Sequence, residues 1–169
     1  SLSTAATPEL KAVANLLKQQ WEKLGVETRL KIFEMGDLNK NVIRPRKYDS
    51  LLFGEVVGRD LDLFAFWHSS QRNDPGLNIA LYANITTDDL LEQIRITSDE
   101  KSKKEKLELF QKEIARDIPA IFLYSPDFIY ISPKKIKNIL IDKITIPSER
   151  FLDINNWYIK TDKVWKFLL

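Results

Sequence analysis

An α/β fold with an irregular C-terminal tail is predicted from three observations. Apolar residues recur at spacings of three and four over residues 8–24, strict alternation follows over 26–33, and a mostly apolar run at 48–57 precedes two further helical stretches between 86 and 116. After residue 132 neither period is sustained. At 169 residues, 44% hydrophobic and 30% charged, the chain has the size and composition of one soluble domain able to bury a core without staples.

In the first helix, Leu10, Val13, Ala14, Leu17, Trp21 and Leu24 form one apolar stripe. Thr7 is placed to cap it, Pro8 suits the first turn, and Gly25 stands where a left-handed C-terminal residue is wanted. Val26, Thr28, Leu30 and Ile32 then alternate with Glu27, Arg29 and Lys31, as in a half-buried strand. Residues 37–42 read as a short helix before the interruption at Arg44-Pro45-Arg46, and 48–57 as a strand buried on both faces, ended by Gly54 and Gly58. Residues 60–84 form a long irregular stretch whose aromatic content, Phe64, Phe66, Trp67 and Tyr82, favours an ordered, functional loop. Thr86 with Asp89 resembles a capping box opening a helix through Leu90, Leu91 and Ile94. A further helix over 99–116 carries Leu107, Phe110 and Ile114, Pro119 closes it, and strands are expected at 120–124 and 128–131.

Composition removes several function classes. Lys and Arg total 26 against 24 for Asp and Glu, which makes no electrostatic case for nucleic acid. The mixed charges of 101–106 read as a solvated helix face. With no cysteine there is no disulfide scaffold, thiolate nucleophile or cysteine-bound zinc, and with His68 as the only histidine no site with two histidine ligands forms within one chain. No run of about 18 apolar residues is present. The charge is unevenly distributed: residues 132–169 hold eight basic and four acidic side chains, a net of +4. That tail reads as a segment that packs on something else. The start at Ser1, without methionine, is what a processed or excised piece would show, and equally a complete domain cut out on purpose.

A set of pieces in order carries a family resemblance: Leu24-Gly25-Val26, Tyr48-Asp49, Asp60-Leu61-Asp62-Leu63-Phe64, Trp67-His68-Ser69-Ser70-Gln71, Gly76-Leu77-Asn78-Ile79-Ala80 with Tyr82-Ala83-Asn84, Asp89-Leu90-Leu91, and Pro119-Ala120-Ile121-Phe122-Leu123-Tyr124. Over residues 1 to about 135 this order resembles the C-terminal part of the family 5 extracellular solute-binding proteins, the oligopeptide, dipeptide and nickel receptors of ABC importers. The resemblance implies the second lobe of a class II periplasmic-binding-protein-like fold, a mixed sheet flanked by helices, over 1–133. It also implies a C-terminal segment, 134–169, that returns to the first lobe. A signal sequence or lipobox, the first lobe and half of the ligand cleft would then be missing. The implied setting is periplasmic or extracellular and associated with the cell surface. The implied partners are a peptide or other small solute, the permease and the missing N-terminal lobe, with no cofactor, metal or nucleic acid and no catalysis.

Members of this family commonly hold a ligand amino group with an acidic residue just beyond the buried strand. Here that stretch is Glu55-Val56-Val57-Gly58-Arg59-Asp60, and the family's usual tryptophan and aspartate do not match it cleanly. Glu55 and Asp60 are the first candidates, and Arg59 could instead meet an anionic group. Trp67, His68 and Asn78 complete the candidate ligand-binding set. Each has a plainer role: Trp67 as a packing residue, His68 as a hydrogen-bonding group of the loop, Asn78 as a side-chain to backbone tie. Asp62 reads as a cap. Two other functions are weighed. One is a protein-interaction module derived from the receptor fold. The other is a hydrolase using His68 with Ser69 or Ser70, disfavoured because no G-x-S-x-G turn exists to expose a serine.

Overall fold

The computed structural model describes residues 1–59, 62–141 and 144–160. These divide into two compact units, a larger one of residues 1–55 and 62–121 and a smaller one containing 56–59 and the described residues from 122 onward. The sequence reading sets its own boundary at 133/134.

The larger unit is built on a three-stranded parallel sheet of order β2-β1-β3, with β1 at Leu2–Ala5, β2 at Leu30–Phe33 and β3 at Ser50–Leu52. All four residues of β1 are buried, as a central strand covered on both faces requires. Helix α1, Pro8–Lys23, forms as its sequence signals dictate: the Thr7 hydroxyl accepts from the Leu10 N–H at 3.4 Å, Pro8 opens the first turn, and Gly25 takes a φ of 81° after the end. Its Ala14 packs with Leu2 and Leu52, joined by Leu10, Val13, Leu17, Trp21 and Leu30. Leu24 leaves the stripe, 80% exposed beyond the last turn.

Both flanking strands are shorter than their patterns suggest. β2 begins at Leu30 and not at 26, and β3 ends at Leu52 and not at 57, because each can extend only as far as its ladder partner, the four-residue β1. Between β2 and β3 lie a helical turn, α2, at Met35–Asp37 and a π-helical turn over Leu38–Ile43. There Leu38, Val42 and Ile43 pack against Ala5, forming a second cluster.

A third cluster holds the other half of the unit together. Short helix α3, Phe64–Trp67, packs with α4, Ile85–Ile96, and α5, Glu100–Asp117, through Trp67, Tyr82, Leu91, Ile94, Phe110 and Ile114. Asp99 caps α5 by accepting from the Ser102 N–H at 2.8 Å. The cap of α4 differs from the expected Thr86. Asn84 has the extended backbone of a cap and accepts from the Thr87 N–H at 3.2 Å, so the helix starts earlier.

In the smaller unit, β4 (Ile136–Lys137) and β5 (Tyr158–Ile159) form an antiparallel ribbon. Asp153 stitches it together, accepting from the Leu140 N–H and the Trp157 indole N–H, both at 2.8 Å. Residues 120–124 and 128–131, expected as strands, belong to neither sheet. No described residue of this unit is buried, in keeping with an irregular tail.

Candidate functional site

The loop between β3 and α4 is organised by side chains that reach back to backbone. Asn78, 0% exposed, lies at its centre. Its amide nitrogen donates to the carbonyls of Trp67 (3.2 Å), His68 (3.1 Å) and Tyr82 (2.9 Å), and its oxygen accepts from the Tyr82 N–H at 3.1 Å. This is the loop-tying role its residue type suggests. Trp67, 8% exposed, meets Tyr82 and Phe110 edge-on, each at 6.4 Å between ring centroids.

His68, 9% exposed, is fixed on two sides. Its ring stacks on Phe64 at 4.0 Å, and the other face of Phe64's neighbourhood is taken by Arg95, whose guanidinium carbon lies 3.8 Å from the Phe64 ring centroid. Arg95 in turn makes a forked pair with Asp62, which holds that carboxyl below its ordinary range, and Asp62 also accepts from the Phe64 N–H at 3.2 Å. Nδ1 of His68 accepts from the Ser70 N–H at 3.1 Å, so the neutral ring carries its proton on Nε2. Nε2 is closed off from solvent, 3.4 Å from Glu92 Oε1 and 3.9 Å from Asp88 Oδ1, and makes no well-formed hydrogen bond. Ser70 Oγ lies 2.8 Å from Nδ1, but that lone pair already receives a backbone N–H, and Asp88 is occupied by the Ser69 N–H and hydroxyl. A general base needs a free lone pair and access to substrate; this arrangement stabilises a turn.

Sequence reasoning missed the device that holds the far end of the loop. Arg46, with a φ of 57°, donates to the carbonyls of Ile43 (2.7 Å), Arg72 (2.9 Å) and Gly76 (2.6 Å), while Arg44 pairs with Asp74 through two contacts of 2.9 and 3.1 Å. The Arg-Pro-Arg interruption was the only signal, and it does not reveal partners 26–30 residues away. Gly76 is required there because a Cβ would overlap the backbone of Gln71.

The remaining candidates are Glu55, Arg59 and Asp60. Glu55 ends the larger unit's first stretch as an exposed residue, and desolvation of its carboxyl pushes its pKa up to about 7. Arg59, in the smaller unit, is 3.8 Å from Glu149, whose carboxylate also accepts from the Thr145 N–H and hydroxyl. Asp60 lies outside the described residues. Trp67, His68 and Asn78 are thus brought together. Among the described residues there is no cluster of three His, Cys, Asp or Glu side chains fit to hold a metal, and no helix long and apolar enough to cross a membrane.

No protein-family model matches the chain. Individual relatives do. The oligopeptide-binding protein AppA of Bacillus subtilis is 26% identical over 148 residues, 87% of this chain and 26% of its own length. The nickel-binding protein NikA of Staphylococcus aureus is 26% identical over 133 residues, 78% of this chain and again 26% of the relative. The structure of AppA from Bacillus subtilis in complex with a nonapeptide superposes with a TM-score of 0.71 at 25% identity, covering 95% of this chain and 31% of that one. The chain therefore has the fold of the substrate-binding proteins that serve ABC transporters. Within that class it is a relative of the family 5 extracellular solute-binding proteins, and it spans about a quarter of the length of the curated relatives it matches.

Proposed function

We propose that this chain is part of an extracellular solute-binding protein of an ABC importer, one that captures a peptide-like solute between two lobes and delivers it to the permease. The observation that carries the reading is the likeness to AppA, which extends over nearly the whole of this chain but less than a third of that protein. In this reading residues 1–133 are the second lobe and 134–169 return to the first. Closure is then a rotation of two rigid bodies about a few linking residues. The protein works outside the cytoplasmic membrane, binds solute and performs no catalysis.

Burial separates the five candidates that lie among the described residues into two groups. Asn78, Trp67 and His68 are too enclosed to reach a ligand and serve as the frame of the loop. Ligand contact falls to Glu55, Arg59 and Asp60, which can answer the charged ends of a peptide. The smaller unit's lack of any buried described residue supports a missing partner lobe, since such a unit has little internal packing of its own.

The test is calorimetry with a nonapeptide on the full-length polypeptide and on the 169-residue chain. Saturable binding by the first, and binding weaker than micromolar or undetectable by the second, is expected. Micromolar binding by the 169-residue chain contradicts the two-lobe reading, and failure of the full-length protein to bind any member of a peptide mixture contradicts peptide capture. Sedimentation should show the 169-residue chain self-associating through its exposed apolar surface.

A further inference from the structure

His68 is the only histidine of the chain, and its ring serves as a cap. A single turn of 3-10 helix, Ser69–Gln71, begins on it: Nδ1 accepts from the Ser70 N–H at 3.1 Å, and the His68 carbonyl accepts from the Gln71 N–H at 3.0 Å. That turn supports the centre of the loop, since the Gln71 carbonyl accepts from the Asn78 N–H at 3.1 Å and the Asn78 amide donates to the His68 carbonyl. Caps are usually hydroxyls, amides or carboxylates, whose acceptor oxygens survive mild acid. An imidazole lone pair does not, because histidine is the side chain that takes up a proton between about pH 5 and 8.

The groups facing the ring pull in opposite directions. Nε2 is directed at two carboxylates of α4, Glu92 Oε1 at 3.4 Å and Asp88 Oδ1 at 3.9 Å, and among the described residues it has no hydrogen-bond partner. Asp88 is held in place by the Ser69 N–H and hydroxyl, whereas the Glu92 side chain is 64% exposed and free to close on a charged ring. Against the cation stand the Ser70 N–H, aimed at Nδ1, and Arg95 of α4, which lies over the Phe64 ring on which His68 stacks. The charge of Arg95 is met by its forked pair with Asp62, and Lys103 of α5 acts on the same carboxylate. Nδ1 also has Ser70 Oγ within 2.8 Å.

We propose that His68 is a pH-operated cap, whose protonation releases the Ser70 N–H, opens the 69–71 turn and loosens the loop where Asn78 rests on Gln71. The proton enters at Nδ1, the only ring nitrogen with a lone pair in the neutral form, and Nδ1–H then turns to Ser70 Oγ. Nε2–H gains a charge-assisted contact with Glu92 that offsets the lost cap. The change is therefore local, a shift of one turn between two arrangements and not an unfolding of the unit. The inference stands on the larger unit alone and does not depend on the two-lobe reading.

The test is two-dimensional NMR of the 169-residue protein from pH 8 to pH 5, where a single histidine makes the ring signals unambiguous. At pH 8 the ring nitrogens should report the Nε2–H tautomer. On acidification the amides of Ser70, Gln71 and Asn78 should shift with the midpoint of the ring, and hydrogen-exchange protection of Ser70 should fall about tenfold, the scale of one lost hydrogen bond. His68→Asn supplies an uncharged cap and should remove this pH dependence. Glu92→Gln should move charging of the ring, and the amide shifts with it, to lower pH. An Nδ1–H tautomer at pH 8, a ring still neutral at pH 5, a charged ring with those three amides unmoved, or the same amide transition in His68→Asn overturns the proposal. Should His68→Asn fail to fold, the tautomer and amide shifts of the parent decide.

Discussion

Replacing Asn78 by alanine tests whether the β3–α4 loop is held by one buried amide. The substitution removes three donated contacts, to Trp67, His68 and Tyr82, and one accepted from the Tyr82 N–H. An amide nitrogen has two hydrogens to share among three carbonyls, so the loss amounts to about three hydrogen-bond equivalents. At ~1 kcal/mol each, with backbone groups left unpaired in a buried setting, the expected cost is about 3–4 kcal/mol. That corresponds to a fall in Tm of roughly 10 °C or more for a unit of this size. The assay is thermal and urea unfolding followed by circular dichroism at 222 nm. Asn78→Asp is the informative companion. It keeps the shape and the acceptor for Tyr82 but turns a carboxylate oxygen toward three carbonyls, so at neutral pH it should cost at least as much as alanine. A loss below ~1 kcal/mol for Asn78→Ala, or near-parental stability for Asn78→Asp, refutes the reasoning.

Gly76→Ala should destabilise by about 2 kcal/mol or more, because its Cβ would overlap the Gln71 backbone, whereas Gly36→Ala should be tolerated since nothing lies within 4 Å of a Cβ there; urea midpoints of the two variants separate the cases. Glu55 gives a pH signature. Its folded pKa is raised to about 7 from 4.5, so the folded state holds the proton more tightly and stability falls as pH rises between those values. Relative to Glu55→Gln, the parent should lose Tm from pH 4.5 to 7.5, and parallel profiles would contradict the shift. Tyr82→Phe removes a 2.7 Å hydrogen bond to Asp117 and a 3.1 Å contact with Thr87, and should lower the urea midpoint by the equivalent of about 1–2 kcal/mol without changing the slope. Trp21→Ala should cost less than the 3–5 kcal/mol of a fully buried tryptophan, about 2 kcal/mol, because Trp21 is only half-buried; a thermal melt unchanged from the parent would show that α1 does not pack through it.

The parts of the fold that could be read in advance are those with local causes. Helix α1 is marked by Thr7, Pro8 and Gly25, all within one turn of its ends, and α5 by Asp99. The strands were harder, because a strand's length belongs to its ladder and β1, the partner of both β2 and β3, carries no periodic signal in its Leu-Ser-Thr-Ala sequence. The choice of Asn84 over Thr86 as the cap of α4 also has a distant cause. Asn84 donates to Asp117 at 2.8 Å while accepting from Thr87, so α5 helps decide where α4 begins.

The sequence by itself determined the α/β class, the main helices and the family likeness, because helical periodicity, capping residues and the order of short motifs are all written in neighbouring positions. Only the tertiary structure decided which loop residues are structural. Trp67, His68 and Asn78 read first as packing and loop-tying residues and second as ligand contacts, and burial and hydrogen bonding show the partners through which they brace the loop. Arg46 became its far clamp because folding carries Arg72 and Gly76 to its guanidinium, a meeting of residues 26 and 30 positions apart that no local pattern encodes.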